Sequence, residues 1–212
     1  MKQVLLTMLL IFLLNFFFQC NSSNTSTNNT PKSKGYAVVI DAAHGGKDPG
    51  AISTIDSTSE KDIVLQISKL VKSELESEGI KSLLTREDDR FLSLKDRVNL
   101  AENSNAGLNI SIHTNSSKKL NQNGYITFYQ ENNTSSKLLD SYIHDELNKL
   151  NIFQDNGSQI GAFYVITETS IPSVMIDVGY ISNPDDFKKI KDKNNQAEIA
   201  AALARAIKRY HK

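Results

Sequence analysis

Hydrophobic positions in residues 36–210 follow two spacings that alternate along the chain. Short apolar runs rich in β-branched residues predict strands buried on both faces, and longer stretches with an apolar residue every three or four positions predict amphipathic helices. The predicted strands are 37–41, 81–85, 108–113, 125–129, 163–166 and 173–177. The predicted helices are one that begins after the N-cap residue Ser59 and ends near Gly79, and three more at 92–102, 136–150 and 196–210. This alternation predicts a single α/β domain with a twisted, mostly parallel sheet of about six strands flanked by helices.

The first twenty residues have a different pattern. Residues 4–18 are apolar except for Thr7 and Asn15, and they follow a positively charged start. Such a run is typical of a secretory signal peptide, and it is shorter than the roughly 20 apolar residues that a membrane-spanning helix needs. We therefore expect the protein to be exported.

Cys20, the only cysteine, lies where this apolar run ends. Its position resembles that of the lipid-attachment cysteine of bacterial lipoproteins, so we expect residues 1–20 to be a signal peptide and Cys20 to anchor the protein to a membrane. Gln19 is bulkier than the small residue usual before such a cysteine, so an ordinary signal peptide and an uncleaved anchor remain alternatives. Residues 21–35, rich in Asn, Ser and Thr, predict a flexible tether to the folded domain at 36–212.

Composition and charge exclude some classes of function. The 24 basic residues balance the 24 acidic ones, which gives no electrostatic basis for a nucleic-acid partner or for an anionic membrane surface. With one cysteine, neither an internal disulfide nor a thiolate zinc site can form.

Three residues form a candidate metal site. His44 follows the first predicted strand, His113 ends the third, and Glu60 begins the first helix. Glu60 alone could be a helix-capping group, and each histidine alone could be an ordinary polar residue. Ligands of open α/β sheets gather at the carboxyl ends of strands, and two imidazoles with one carboxylate and an open position form a catalytic zinc site. The three residues together therefore favour zinc.

Six short motifs occur in order along the folded part of the chain. They lie at residues 41–51, 59–63, 85–89, 94–97, 111–115 and 172–184. They resemble the successive motifs of the zinc-dependent N-acetylmuramoyl-L-alanine amidases. The resemblance implies that His44, Glu60 and His113 hold one zinc ion per chain. It also implies that the substrate is peptidoglycan, cut between the lactyl group of N-acetylmuramic acid and L-alanine of the stem peptide during cell-wall remodelling or daughter-cell separation.

Asp177 is the candidate catalytic residue, because it stands at the end of an apolar strand where the family pattern has a glutamate. Aspartate is one methylene shorter, and a displacement of about 1 Å can cost about 100-fold in rate. We expect an active enzyme. The alternatives are a tethered peptidoglycan-binding module with weakened catalysis, a zinc peptidase acting on another wall amide, and, for Asp177 itself, a turn-capping role.

Other residues have weaker assignments. Asn115 is a candidate substrate-binding residue. Asp41 and Lys47 flank His44 and could orient it or contact substrate, and a role in the turn is an equal alternative for both. Arg86 and Arg97 are expected to be structural, and His144 and His211 to be exposed. Thr167 stands where the family often has an arginine. Residues 114–124 are too few for a helix that could cover the metal, so we expect no obligatory activator, and we expect the protein to act in the cell envelope, in the periplasm or on a membrane.

Overall fold

The structure of this protein, a computed structural model, describes residues 37–211. The predicted signal peptide, Cys20 and the tether at 21–35 lie outside the described residues, so the expectations attached to them stay predictions. Among the described residues, no helix combines the length and the apolar character that crossing a membrane would require.

Six strands form one sheet, as the sequence predicts. The strands are β1 (Val38–Ala42), β2 (Ser82–Leu84), β3 (Leu108–Asn115), β4 (Tyr125–Tyr129), β5 (Asp155–Ile160) and β6 (Ser173–Tyr180). Their order across the sheet is β2-β1-β3-β6-β4-β5, and every pair is parallel except β4 with β6. Strands β1, β3 and β6 are buried over almost their whole length, as expected for a sheet covered on both faces.

Helices cover the two faces of this sheet unequally. The helices are α1 (Glu60–Ser77), α2 (Leu94–Asn103), α3 (Thr134–Asn148), α4 (Tyr164–Thr167), α5 (Pro184–Lys191) and α6 (Lys193–Tyr210). Helices α1, α3 and α6 bury their apolar sides in one large core with the strands. On the opposite face, α2 and α4 form two small apolar clusters with Val39 and Met175. The predicted fold class is confirmed.

The end signals of the helices explain most of their boundaries. The Ser93 hydroxyl accepts the amide of Asp96, and the Asp96 carboxylate accepts the amide of Ser93, so the two form a capping box at the start of α2. The Asn183 side chain accepts two backbone amides at the start of α5, whose first residue is Pro184. Ser59 precedes α1 as predicted, although its side chain makes no capping hydrogen bond.

Two predicted elements differ from the structure. The stretch 163–166 was predicted as a strand, but Phe163 is the N-cap of the short helix α4 and the next three residues lie in it, with Val165 and Ile166 buried. The strand that the prediction missed is β5. Its sequence is polar, and its residues are largely exposed at the edge of the sheet. Helix α5 was also not predicted.

Candidate metal centre

The ends of three elements bring the predicted ligands together. His44 follows β1, His113 lies near the end of β3, and Glu60 is the first residue of α1. One potential ligand atom from each residue lies within 4.8 Å of the others. The Oε1 atom of Glu60 is 3.2 Å from His44 Nε2 and 3.2 Å from His113 Nδ1. Three residues distant in sequence thus form one compact donor set.

Glycines leave room for this cluster. The loop after β1 has positive φ angles at Gly45 and Gly46 as well as at His44. At Gly50, also at positive φ, an added Cβ would lie 2.6 Å from the His44 ring and 2.7 Å from the Glu60 carboxylate. A side chain at Gly50 would therefore displace two of the three candidate ligands.

Two arginines hold the main chain that carries His44. Arg86 donates from Nε to the carbonyl of Ala42 at 2.9 Å and from Nη2 to that of Ala43 at 2.8 Å. Arg97 donates from Nη1 to the carbonyl of Ala42 at 2.7 Å and from Nη2 to that of His44 at 2.5 Å. Three consecutive carbonyl groups are thus fixed by buried guanidinium groups, in keeping with the structural roles predicted for both arginines.

Asp41 is the buried counter-ion of Arg97, at 2.7 Å. Its carboxylate also accepts the hydroxyl groups of Thr85 and Ser111. Burial alone would raise the pKa of Asp41, but Arg97 and these hydrogen bonds outweigh it and hold the pKa below its ordinary value. Asp41 therefore supports the His44 segment through Arg97.

Glu60 is held as a carboxylate by its surroundings. Its Oε1 accepts the amide of Thr114 and its Oε2 the amide of Ala51, both at 2.9 Å, so both oxygens face loops and strand ends. Burial opposes ionisation, yet the contacts with His113 and His44 keep the pKa of Glu60 well below its ordinary value. An ionised, oriented carboxylate is what a metal ligand requires.

Asp48 orients the His44 ring. Its Oδ2 lies 2.9 Å from His44 Nδ1, which leaves Nε2 facing Glu60. Burial lowers the pKa of His44, but the contacts with Glu60 and Asp48 outweigh burial and raise it. Histidine ligands of metals commonly carry such an acceptor on the second ring nitrogen.

The chemistry of this donor set fits zinc. Two imidazole nitrogens and one carboxylate oxygen form a three-ligand set, and both histidine side chains remain 22% exposed. Three ligands with an accessible side are typical of catalytic zinc, whereas structural sites are closed by a fourth protein ligand. Within residues 37–211, this is the one group of potential metal ligands found.

Asp177 lies beside His113. The two residues are register partners on the adjacent strands β6 and β3, and both line the same cavity. Asp177 lies within β6, not in a turn, so a turn-capping role does not apply. Burial is the main cause that raises the pKa of Asp177 to about 6, with the Glu60 carboxylate adding to the rise and His113 opposing it.

The candidate ligands line a cavity of about 500 Å³. Asn115, the predicted substrate-binding residue, lines it, and its Oδ1 accepts the amide of Ser116. The sequence did not single out the aromatic residues Phe91, Phe163 and Tyr164, which also line it. Phe163 and Tyr164 were missed because they fell within a stretch predicted as a strand.

His144 does not fit its prediction. Its side chain is 13% exposed, and its ring nitrogens lie 2.6 Å from Thr127 Oγ1 and 3.1 Å from Asp155 Oδ2. The expectation of an exposed residue was wrong because strand β5, which supplies Asp155, was not predicted. His144 does not line the cavity and instead links α3, β4 and β5.

Comparisons with known proteins agree with the motifs. A family model described as N-acetylmuramoyl-L-alanine amidase matches residues 38–209. The uncharacterized protein YqiI of Bacillus subtilis is 36% identical over 84% of this chain and 86% of its own length. The amidase LytC of the same organism is 33% identical over 89% of this chain, which spans only 39% of LytC.

Solved structures agree in fold as well. The catalytic domain of CwlV, an N-acetylmuramoyl-L-alanine amidase of Paenibacillus polymyxa, has a TM-score of 0.79 and 38% identity over 83% of this chain and 98% of that one. An N-acetylmuramoyl-L-alanine amidase of Clostridium difficile has a TM-score of 0.80 and 32% identity over 84% of this chain and 98% of that one. The chain belongs to the N-acetylmuramoyl-L-alanine amidase family.

Proposed function

We propose that this protein is a zinc-dependent amidase of peptidoglycan. It hydrolyses the amide between the lactyl group of N-acetylmuramic acid and L-alanine of the stem peptide, in wall remodelling or daughter-cell separation. The observation that carries this proposal is the cluster of His44, Glu60 and His113 in a cavity that Asp177 also lines. Membership of the amidase family supports the same reaction.

Different residues of the chain would bind the metal, transfer the proton and bind the substrate. His44, Glu60 and His113 would hold the zinc ion. Zinc bound there supplies a Lewis acid for the amide carbonyl and lowers the pKa of a water molecule. Asp177 accepts a proton from the attacking water and passes it to the alanine nitrogen as the C–N bond breaks. Asn115, which lines the cavity, would hydrogen-bond the substrate.

A second candidate function is peptidoglycan binding with slow hydrolysis. Asp177 is paired on one side with His113 of β3 and on the other with Ile126 of β4. Neighbouring strands on both sides hold its backbone, so the main chain has little freedom to compensate for the missing methylene. This position favours a weakened enzyme over one fully adapted to the shorter side chain.

The proposed place of action rests on residues outside the described part of the chain. We propose that the protein is exported to the cell envelope, periplasmic or membrane-anchored, with Cys20 as its lipid anchor and residues 21–35 as a tether. Mass spectrometry of the mature N-terminus tests this. A free N-terminus at any other residue would exclude the lipid anchor.

We also propose that activity needs no obligatory activator. The segment 116–124, between β3 and β4, contains no helix that could cover the cavity. Purified protein should then release peptide from cell walls without a partner, and strict dependence on a second protein would contradict the proposal.

The reaction is tested by incubating purified, zinc-loaded protein with peptidoglycan and identifying the new ends. Stem peptides that begin with L-alanine support the amidase, binding without release supports the second function, and cuts within the peptide would indicate a zinc peptidase instead. Glu60→Ala is the control for the metal centre. It should lose both zinc and activity, and full retention of zinc would contradict the ligand assignment.

A further inference from the structure

The cavity has two chemically different ends, and we infer that they bind the two halves of the substrate in a fixed direction. The aromatic end, formed by Phe128, Phe163 and Tyr164, binds the sugar ring. At the cationic end, Phe91 lines the cavity and Lys47 lies over its ring; this end binds a carboxylate of the stem peptide. This inference rests on the proposed function, which supplies a substrate with sugar on one side of the cut bond and peptide on the other.

The order of the strands places the two ends on either side of the candidate metal centre. Phe91 follows the edge strand β2 and lies against the loop after β1, since an added Cβ at Gly46 would lie 2.7 Å from its amide nitrogen. His44 and His113 belong to the next two strands, and Phe128 lies on β4 beyond β6. At about 4.8 Å per strand, β1 and β4 are about 14 Å apart. That distance accommodates a sugar ring and one or two extended residues of about 3.5 Å each.

The aromatic end offers an apolar surface to the cavity. The rings of Phe128 and Phe163 meet edge to face, with centroids 4.9 Å apart. Phe163 is 41% exposed and Tyr164 42% exposed, because α4 buries its next two residues, Val165 and Ile166, instead. Aromatic faces of this kind favour a ligand with an apolar face of its own.

The sugar half of the substrate matches this surface. A pyranose ring presents a face of C–H groups that can lie on an aromatic ring. The only carboxyl group of N-acetylmuramic acid is its lactyl carboxyl, which is consumed in the amide to be cut, so this half of the substrate carries no charge. The uncharged sugar ring is therefore expected to pack against the uncharged aromatic end of the cavity.

The cationic end offers a positive charge at the rim. Lys47 is exposed, and its Nζ lies 4.5 Å from the centroid of the Phe91 ring, which itself is 44% exposed and lines the cavity. Of the charged groups that line the cavity, Arg97 is committed to Asp41. The remaining lining groups are the three candidate ligands and two acids, Asp48 and Asp177.

Charge complementarity fixes the direction of binding. The stem peptide carries the free carboxylates of the substrate, and Lys47, which lies over the lining residue Phe91, is a cation that can meet them. The opposite direction would place these carboxylates against the rings of Phe163 and Tyr164 and would leave the sugar at the charged rim. The peptide therefore extends toward Lys47.

The test measures binding to zinc-loaded, full-length protein that carries Asp177→Asn to prevent cleavage. Three probes are titrated: a muramyl stem peptide with free carboxylates, the same compound with its carboxylates amidated, and a lactyl stem peptide without the sugar. Lys47→Met should weaken binding of both carboxylate-bearing probes about two- to five-fold and leave the amidated probe unchanged. Phe163→Leu and Tyr164→Ala should weaken binding of the two sugar-bearing probes about three- to ten-fold and leave the sugar-free probe unchanged.

Matched controls lie outside the cavity. Lys189→Met removes a similar cation–π contact, since Lys189 Nζ lies 5.6 Å from the Phe153 ring centroid, and Leu138→Ala trims a residue that is 47% exposed on α3. Neither should change binding of any probe. The inference fails if Lys47→Met weakens the amidated probe equally, or if Phe163→Leu and Tyr164→Ala both weaken the sugar-free probe. If the unsubstituted protein cleaves peptidoglycan but the variants do not show these changes in binding, only the inferred direction of substrate binding is overturned. If the variants show these changes but the unsubstituted protein does not cleave, only the proposed reaction is overturned.

Discussion

His44 shows how main-chain contacts position a candidate metal ligand. Its left-handed backbone (φ 59°) costs a non-glycine residue about 1–2 kcal/mol. Four hydrogen bonds from Arg86 and Arg97 to the carbonyls of residues 42–44 offset that cost. The place of His44 after an apolar strand could be predicted from the sequence. The contacts of the two arginines could not be predicted, because their acceptors are main-chain carbonyls, which every residue has whatever its side chain.

Arg97→Lys should weaken zinc binding about tenfold or more. Lysine keeps the charge next to Asp41, but it cannot supply the forked donors that hold the carbonyls of Ala42 and His44 together. The measurement is competition with a zinc chelator, accompanied by circular dichroism to confirm folding. Arg205→Lys, on the surface of α6, is the matched control, and equal zinc affinities for both variants would contradict the positioning role.

Asp177 limits the rate if its shorter side chain places the carboxyl group too far from the reacting atoms. Asp177→Glu should then raise kcat, by up to about 100-fold, whereas Asp177→Ala should lower it by about 100-fold or more. Both values come from release of stem peptide at saturating substrate. If Asp177→Glu is slower than the unsubstituted protein, the aspartate is already correctly placed.

Helix α4 and strand β5 show where a pattern of apolar residues is insufficient to predict an element. The run at 163–166 is short and apolar, and periodicity cannot distinguish a buried strand from a buried helical turn at that length. Tertiary contact decides, because the helix buries Val165 and Ile166 against Met175. Strand β5 lies at the edge of the sheet, paired with β4, and its residues are exposed on both faces, so neither face needs apolar residues. The total of six strands was predicted correctly only because these two errors cancel.

The loop that follows β1 and the turn that ends α1 make a matched pair for substitution. Gly50→Ala should cost about 1–3 kcal/mol of unfolding free energy and reduce zinc binding, because the added methyl group meets His44 and Glu60 at a positive φ. Gly79→Ala, also at positive φ but with nothing within 4 Å of the added Cβ, should cost about 1 kcal/mol and leave zinc binding unchanged. Denaturant unfolding and zinc titration measure both. Equal zinc affinities for the two variants would show that Gly50 is not needed for ligand placement.

The two faces of the sheet differ in how much apolar surface they bury. Helices α1, α3 and α6 and their strands share one continuous apolar core, which supplies most of the buried apolar surface that stabilises the fold. The opposite face carries only small clusters under α2 and α4, and this thinner cover leaves aromatic side chains exposed to the cavity. Long periodic helices such as α1 could be predicted from the sequence. The cavity could not, because it depends on what α4 leaves uncovered.

Glu146 joins α3 to α6 through a buried carboxylate. It accepts hydrogen bonds from Lys149 at 2.6 Å, Arg205 at 2.8 Å and Arg209 at 2.9 Å. Burial would raise the pKa of Glu146, but these bonds outweigh it and lower the pKa from 4.5 to about 2. Because the folded-state pKa lies below the unfolded one, the carboxylate stabilises the fold fully above pH 4.5, and this stabilisation is lost as the pH falls toward about 2.

Glu146→Gln should therefore destabilise the protein in a pH-dependent way. The amide keeps the shape of the side chain but removes the charge, so we expect a loss of about 1–2 kcal/mol at pH 7, since its cationic partners are partly screened by solvent. The difference from the unsubstituted protein should shrink as the pH is lowered from 5 toward about 2, where Glu146 itself becomes protonated. Urea unfolding at a series of pH values measures it, with Glu198→Gln, an exposed substitution on α6, as the control. A constant difference across this range would mean that Glu146 acts by packing and not by charge.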